Sequence, residues 1–160
     1  MRLLAIDTSA AHCSAALLND GESSQRLRAA PRRHGELLLA MMDDLLSAAG
    51  LRPADLDAFA FARGPGSFTG LRIAAAVVQG ASLAAGKPVV GVSTLAALAQ
   101  GCLRTNAADR VLCALDARMG EVYFGAYAAD ARGLMRALAD DRVCAPDVAV
   151  PPGPCLLYTS

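Results

Sequence analysis

Apolar positions divide the chain into runs with two different periods. Leu3 to Ile6 is an unbroken apolar run of strand length, as expected of a central strand covered on both faces. It ends in Asp7-Thr8-Ser9. Cys13 to Leu18 predicts a second strand, and Asn19-Asp20-Gly21-Glu22 a hairpin turn, because Asp-Gly accepts positive φ. Ser23 to Ala29 alternates loosely and predicts a third, more exposed strand, closed by Pro31. The period then changes. His34, Leu37, Leu38, Met41, Met42, Leu45, Leu46 and Ala49 form one stripe at helical spacing, and Gly50 supplies the stop.

After the short connection Arg52-Pro53-Ala54-Asp55, Ala58 to Ala62 predicts a fourth strand, broken by Gly64-Pro65-Gly66. From Leu71 to Ala85 only Arg72, Gln79 and Ser82 interrupt an apolar sequence. A helix that is apolar all round should be covered on both sides. One side can pack on its own sheet; the other calls for a second layer or another protein. Ser67 and Thr69 both offer a capping hydroxyl, and Thr69 is favoured by position. Val89 to Val92 predicts a fifth strand, and Leu95 to Leu103 a third helix capped by Ser93 or Thr94.

Leu3-Leu4-Ala5-Ile6-Asp7 has a counterpart in Leu112-Cys113-Ala114-Leu115-Asp116, each a strand ending in Asp and followed by another strand, Val122 to Tyr127 in the later copy. This suggests a duplicated domain whose second copy is incomplete. The polar stretch Thr105 to Asp109 sets the expected boundary: residues 1–106 first domain, 107–150 partial second domain, 151–160 a Pro-rich tail. The final Cys155-Leu156-Leu157-Tyr158-Thr159-Ser160 matches a translation of the transposase-end adapter of sequencing libraries, and these six residues are expected to be foreign to the protein.

Composition narrows the function classes. The net charge is zero over 160 residues, so independent nucleic-acid binding has no electrostatic footprint. The one basic cluster, Arg26, Arg28, Arg32 and Arg33, reads as a solvated strand end and helix start. Trp is absent and aromatics are few, which argues against a stacking platform for single strands. Cys13, Cys102, Cys113, Cys144 and Cys155 are scattered without metal-ligand spacing, as expected of reduced, mostly buried thiols in a cytoplasmic protein. No run of about 20 apolar residues is free of charge, so no membrane span is expected.

Candidate chemistry is sparse. Gly64, Gly66, Ser67, Thr69 and Gly70 lie between a strand and a helix, where anion loops occur. No Lys-Ser/Thr pair follows the last glycine, and the spacing does not fit a dinucleotide fingerprint. A structural turn is the favoured reading, with an anion site as the alternative. His34 and Glu36 lack a second His four residues on, where Leu38 stands, so no metal site is expected. Asp7 and Asp116 end corresponding strands. In a nucleotide-clamping duplicated fold, with Thr8 and Ser9, they would form a vestigial nucleotide site; capping the strand ends is the equal alternative. Ser67 has no neighbouring His base, so no catalytic residue is assigned.

Taken together and in order, LLAIDTS, HGELLL, GPGSFTGLRIA, GKPVVGVSTLAALA and DARMGEVYFGAY resemble the bacterial TsaB (YeaZ) family from Met1 to about Tyr127. The resemblance implies an α/β actin-like ATPase (ASKHA) fold, a mixed sheet with flanking helices. It also implies a non-catalytic subunit of the machinery that makes N6-threonylcarbamoyladenosine in tRNA. In that machinery a catalytic TsaD subunit is the partner, the TsaE ATPase joins them, and tRNA is met only through the complex. No cofactor of its own is implied, ATP and magnesium being handled by the partners. The resemblance puts the contact on the first two helices, packed as a four-helix bundle, in a heterodimer or in a homodimer when alone. Leu38, Met41, Met42, Leu45, Ile73 and Val77 are the expected interface residues, although a pair such as Met41-Met42 at this spacing favours a core over a contact surface and different sides of the helix can serve each. A self-associating scaffold and a nucleotide-binding enzyme of the same fold are the alternatives.

Overall fold

The computed structural model describes residues 1–29, 34–149 and 156–159. Pro31, Arg32, Arg33, Pro151, Pro152, Pro154, Cys155 and Ser160, which bear on the sequence argument, lie outside the described residues. The chain divides into two compact units, Met1–Val92 and Ser93–Ser160.

The first unit opens with the three antiparallel strands expected: β1 (Arg2–Asp7), β2 (His12–Asn19) and β3 (Glu22–Ala29). Asp20 and Gly21 make the β2–β3 turn with φ of +48° and +102°, the conformation that Asp-Gly tolerates. Helix α1 (His34–Ala48) follows, then β4 (Ala58–Gly64), which pairs parallel with β1, then α2 (Phe68–Ala85) and the edge strand β5 (Val89–Ser93). The strand order is β3-β2-β1-β4-β5, so β1 is central as predicted. Leu4, Ile6, Cys13, Ala15 and Leu17 pack on one face of this sheet with Leu38, Met41, Met42, Leu45 and Leu46 of α1 and Ala74 and Val78 of α2. At about 1.5–3 kcal/mol per fully buried large aliphatic side chain, this cluster dominates the unit's stability.

The second unit begins with α3 (Thr94–Asn106), continues through β6 (Arg110–Arg118) and β7 (Glu121–Ala129), and adds the short strands β8 (Met135–Ala137) and β9 (Arg142–Cys144), both antiparallel to β7. The backbone of β10 (Leu156–Thr159) pairs parallel with β6. No strand is expected of this tail from its sequence, yet it takes on β6 the place that β4 takes on β1. The antiparallel hairpin β6–β7 in the second unit is the spatial counterpart of β1–β2 in the first.

Packing sets the division of the chain at Val92 and Ser93 rather than at the polar stretch Thr105 to Asp109. Leu95, Ala99 and Cys102 of α3 share a core with Val111, Cys113 and Tyr127, so the helix belongs with the strands after it. Polarity marked the end of a helix, not the end of a unit.

Candidate functional site

The Gly64–Gly70 turn closes onto the hairpin end that follows β1. The Ser67 amide donates to the Ser9 carbonyl at 2.7 Å, and the Thr8 hydroxyl donates to the Gly70 carbonyl at 2.7 Å. Thr8 and Ser9 are buried. A Cβ on Gly66 would sit 2.5 Å from the Ser9 carbonyl oxygen, and one on Gly70 would run into the Thr8 carbonyl oxygen. Both glycines are therefore set by close backbone approach. Ser67, not Thr69, caps α2: its Oγ accepts from the Gly70 amide at 3.3 Å. Ser67 is the last non-helical residue and can reach back over the first turn, whereas Thr69 already lies inside it and is exposed.

The two strand-end aspartates make the same turn. Asp7 Oδ1 accepts from the Ser9 amide at 2.7 Å, and Asp116 Oδ1 accepts from the Arg118 amide at 2.7 Å. Asp116 also pairs with the Arg118 guanidinium at 3.1 Å. In the first unit the polar atoms of this hairpin are engaged by the α2 loop. In the second, the tip stands in solvent, with Arg118 and Met119 at φ of +68° and +56° and Met119 98% exposed.

Among the described residues no group of three His, Cys, Asp or Glu side chains could hold a metal ion. His12 is exposed, and His34 is the first residue of α1. Cys13, Cys102 and Cys113 are buried and unbridged, and Cys144 is half-buried. Burial first, and then the Asp7 charge, pushes the Cys13 thiol up; burial, Cys102 and Asp141 push Cys113 up to about 12. Neither is an activated nucleophile.

One polar cluster had no sequence signal, because its members are far apart in the chain. Asp141 accepts from the Tyr127 hydroxyl at 2.5 Å and from the Ser93 hydroxyl at 3.0 Å, while Ser93 Oγ also caps α3 by accepting from the Ala96 amide at 3.3 Å. Burial and the hydrogen bond to Asp141 raise the Tyr127 pKa. These side chains engage one another and the start of the helix, so the cluster reads as a brace for α3.

The surface of α1 and α2 differs from expectation in a specific way. Leu38, Met41, Met42 and Leu45 are core residues, so as folded they present nothing to a partner. Ile73 and Val77 are half-buried, with Val77 packed against that core. What α2 leaves in solvent is the stripe Phe68, Arg72, Ala76, Gln79, Gly80 and Leu83, at three- and four-residue spacing. Its inner face is Gly70, Ala74 and Val78. The helix apolar all round is thus covered on one side only. It is long and apolar enough, by length and composition alone, to cross a membrane, with 17% of it buried. Arg72 in its first turns and the inner face packed on the sheet match a domain helix with one open side. On α1 the open side carries Leu39, 58% exposed, beside Asp43 and Asp44.

An antiparallel hairpin in each unit, flanked in the first by a parallel strand and with helices packed on the sheet, fits the actin-like ATPase fold class. The ROK hexokinase of Thermus thermophilus shares the fold at 19% identity and a TM-score of 0.51, over 89% of this chain and 49% of that one. The family model for TsaD, tRNA N6-adenosine threonylcarbamoyltransferase, matches residues 28–155. The Escherichia coli K12 protein named tRNA threonylcarbamoyladenosine biosynthesis protein TsaB is 46% identical over 148 residues, 92% of this chain and 64% of its own length. The solved structure of YeaZ from Pseudomonas aeruginosa superposes with a TM-score of 0.93 at 45% identity, over 99% of this chain and 74% of that one. The chain belongs to the TsaB (YeaZ) family and spans just under two thirds of its Escherichia coli relative.

Proposed function

We propose that the chain acts as a non-catalytic subunit in the synthesis of tRNA N6-threonylcarbamoyladenosine, by pairing with a TsaD-type transferase. Its family membership and the names of its relatives support the pathway. The observation that carries the pairing is the open side of α2, an exposed stripe built largely of apolar and small residues. Small side chains let another helix approach closely, and burying such a stripe supplies the apolar area a stable interface needs. A TsaE-type ATPase joins the complex, ATP and magnesium are handled by these partners, and tRNA is met through the assembly, in the cytoplasm. When the transferase is absent, the same stripe serves a homodimer.

The hydrogen bonds that fill the Gly64–Gly70 loop support a structural role for Gly64, Gly66, Ser67, Thr69 and Gly70. A phosphate bound there would have to displace the Ser9 carbonyl from the Ser67 amide. Asp7, Thr8, Ser9 and Asp116 likewise act as turn residues.

Reconstitution tests the reading. This chain with tRNA, threonine, bicarbonate and ATP should yield no modified tRNA until TsaD, TsaE and the threonylcarbamoyl-adenylate synthase are added. Product from this chain alone would overturn it. Nucleotide turnover by the chain alone would favour a nucleotide-binding enzyme, and failure to bind TsaD would favour a scaffold that associates only with itself.

A further inference from the structure

We propose that Met119, at the tip of the β6–β7 hairpin, is a reversible oxidation site. It takes a peroxide as oxidant and is restored by a thiol-dependent methionine sulfoxide reductase.

The five methionines divide sharply by exposure. Met41, Met42 and Met135 are 2%, 6% and 8% exposed and belong to the two cores. Met1, the first residue, is 69% exposed, and Met119 is 98% exposed. A thioether reacts only where the oxidant reaches its sulfur. A peroxide therefore meets Met119 directly, and the core methionines only when a unit opens. Thiols are withdrawn in the same way: Cys13, Cys102 and Cys113 are buried, and Cys144 is half-buried.

Local folding gives no reason for a methionine at this position. The tip runs through Arg118, Met119 and Gly120 at φ of +68°, +56° and +79°. Gly, Asn and Asp suit such backbone, because a larger side chain is crowded there. The clamp that holds the turn belongs to the neighbours of Met119. Asp116 Oδ1 accepts from the Arg118 amide at 2.7 Å, and Asp116 Oδ2 accepts from the Arg118 guanidinium at 3.1 Å. Met119 thus supplies neither backbone preference nor burial. What it brings to the tip is the thioether.

The Met119 sulfur attacks one peroxide oxygen. The S–O bond forms as the O–O bond breaks, and the departing hydroxide takes a proton to become water. Sulfur loses two electrons and the peroxide gains them. On the return, two reductase thiols close to a disulfide and the sulfoxide oxygen leaves as water. Oxidation replaces the apolar side chain of the tip by a polar, chiral one. No core contact is lost, so the unit stays folded and only the character of the tip changes.

The test treats the purified full chain with hydrogen peroxide. Oxygen gain at each methionine is read by peptide mass mapping, and the fold by circular dichroism melts. Met119 should oxidise at least about tenfold faster than Met41, Met42 and Met135, since a core opening that costs only about 1.4 kcal/mol already admits peroxide a tenth of the time. It should keep pace with Met1, the reference for a freely exposed thioether. Met119→Leu keeps the apolar volume and should melt as the wild type. Oxidation confined to the exposed methionines should leave both melts unchanged. Methionine sulfoxide reductases for the two epimers, with dithiothreitol, should return Met119 to the thioether in the folded chain. Oxidation of Met119 no faster than that of the core methionines overturns the proposal. So does a melt that falls on oxidation of the wild type and not of Met119→Leu, which would make Met119 a packing residue. A Met119 sulfoxide reduced only after unfolding in urea overturns its reversibility.

Discussion

Replacing Gly70 by Ala tests the structural reading of the glycine loop at its tightest point. The new Cβ would run into the Thr8 carbonyl oxygen and stand 2.9 Å from the Thr8 carbonyl carbon. These are backbone atoms of the central hairpin, which have no free rotor to turn aside. Relief requires α2 and the hairpin end to part, and that breaks the Thr8 Oγ1 to Gly70 O and Ser67 N to Ser9 O bonds. Two lost bonds cost about 1 kcal/mol each, and a buried Thr8 hydroxyl left without a partner adds about 1–3 kcal/mol. The better helix propensity of Ala returns about 1 kcal/mol. The net loss is about 2–4 kcal/mol, which for a unit of this size lowers the melting temperature by roughly 10–20 °C. Gly80, in the same helix with nothing within 4 Å of its added Cβ, is the control. There Gly80→Ala should raise stability by about 0.5–1 kcal/mol. Circular dichroism melts of both variants decide the matter. A Gly70→Ala protein melting at the wild-type temperature would refute the close-approach argument. One that kept its melt and lost nucleotide binding would make the loop a phosphate site.

Met41→Asp should unfold the first unit by more than about 3 kcal/mol, because it strands a carboxylate in the core; a fold left intact by urea titration would return Met41 to the surface. The raised Cys113 and Tyr127 pKa values mean that the unfolded chain loses these protons first, from about pH 9 and 10, so stability is full below that range and falls as pH rises through it. The slope is up to about 1.4 kcal/mol per pH unit for each group, and Tyr127→Phe should remove its share in urea midpoints measured across the alkaline range. Asp141→Asn should cost about 1.5–3 kcal/mol, since an amide cannot accept equally from Tyr127 and Ser93, and amide hydrogen exchange should rise first at the start of α3.

The order of strands and helices from β1 to β7 was legible because each of these elements announces itself locally, whereas the short β8, β9 and β10 did not. The run Leu3 to Ile6, the Asp20-Gly21 turn and the stripe from Leu37 to Leu46 each depend on near neighbours in the chain. The sides of α1 and α2 were not legible. A stripe such as Leu38, Met41, Met42 and Leu45 favours a core, but an interface also wants apolar side chains at the same spacing. The sheet resolved it by burying this stripe. Of the residues left outside, Phe68 stood before the expected helix start, Arg72 was one of the three polar interruptions, and Leu83 looked like an ordinary member of an apolar helix. The Ser93-Tyr127-Asp141 cluster was illegible for another reason: partners 14 and 48 residues apart from Asp141 meet only after β7 and α3 have packed. The capping residue of α2 was missed because the turn delivers Ser67, rather than Thr69, at the last extended position.

The two Asp-terminated hairpins share a turn but differ in what packs on it. Both use the same Asx turn, in which one carboxylate oxygen holds the backbone amide two residues on. The first copy is distinguished by the segment after β4, the parallel neighbour of its first strand. There Gly66 and Gly70, which carry no side chain, let α2 drop onto Ser9 and Thr8 and take up the Ser9 carbonyl and the Thr8 hydroxyl. In the hairpin end filled in this way the Thr8 hydroxyl and the Ser9 carbonyl make internal hydrogen bonds. The same close descent fixes the inner face of α2 at Gly70, Ala74 and Val78, and therefore turns Phe68, Arg72 and Ala76 outward. The packing that occupies the hairpin is thus also what presents the outer stripe of α2, and the two features should fail together in any variant that lifts α2 from Thr8.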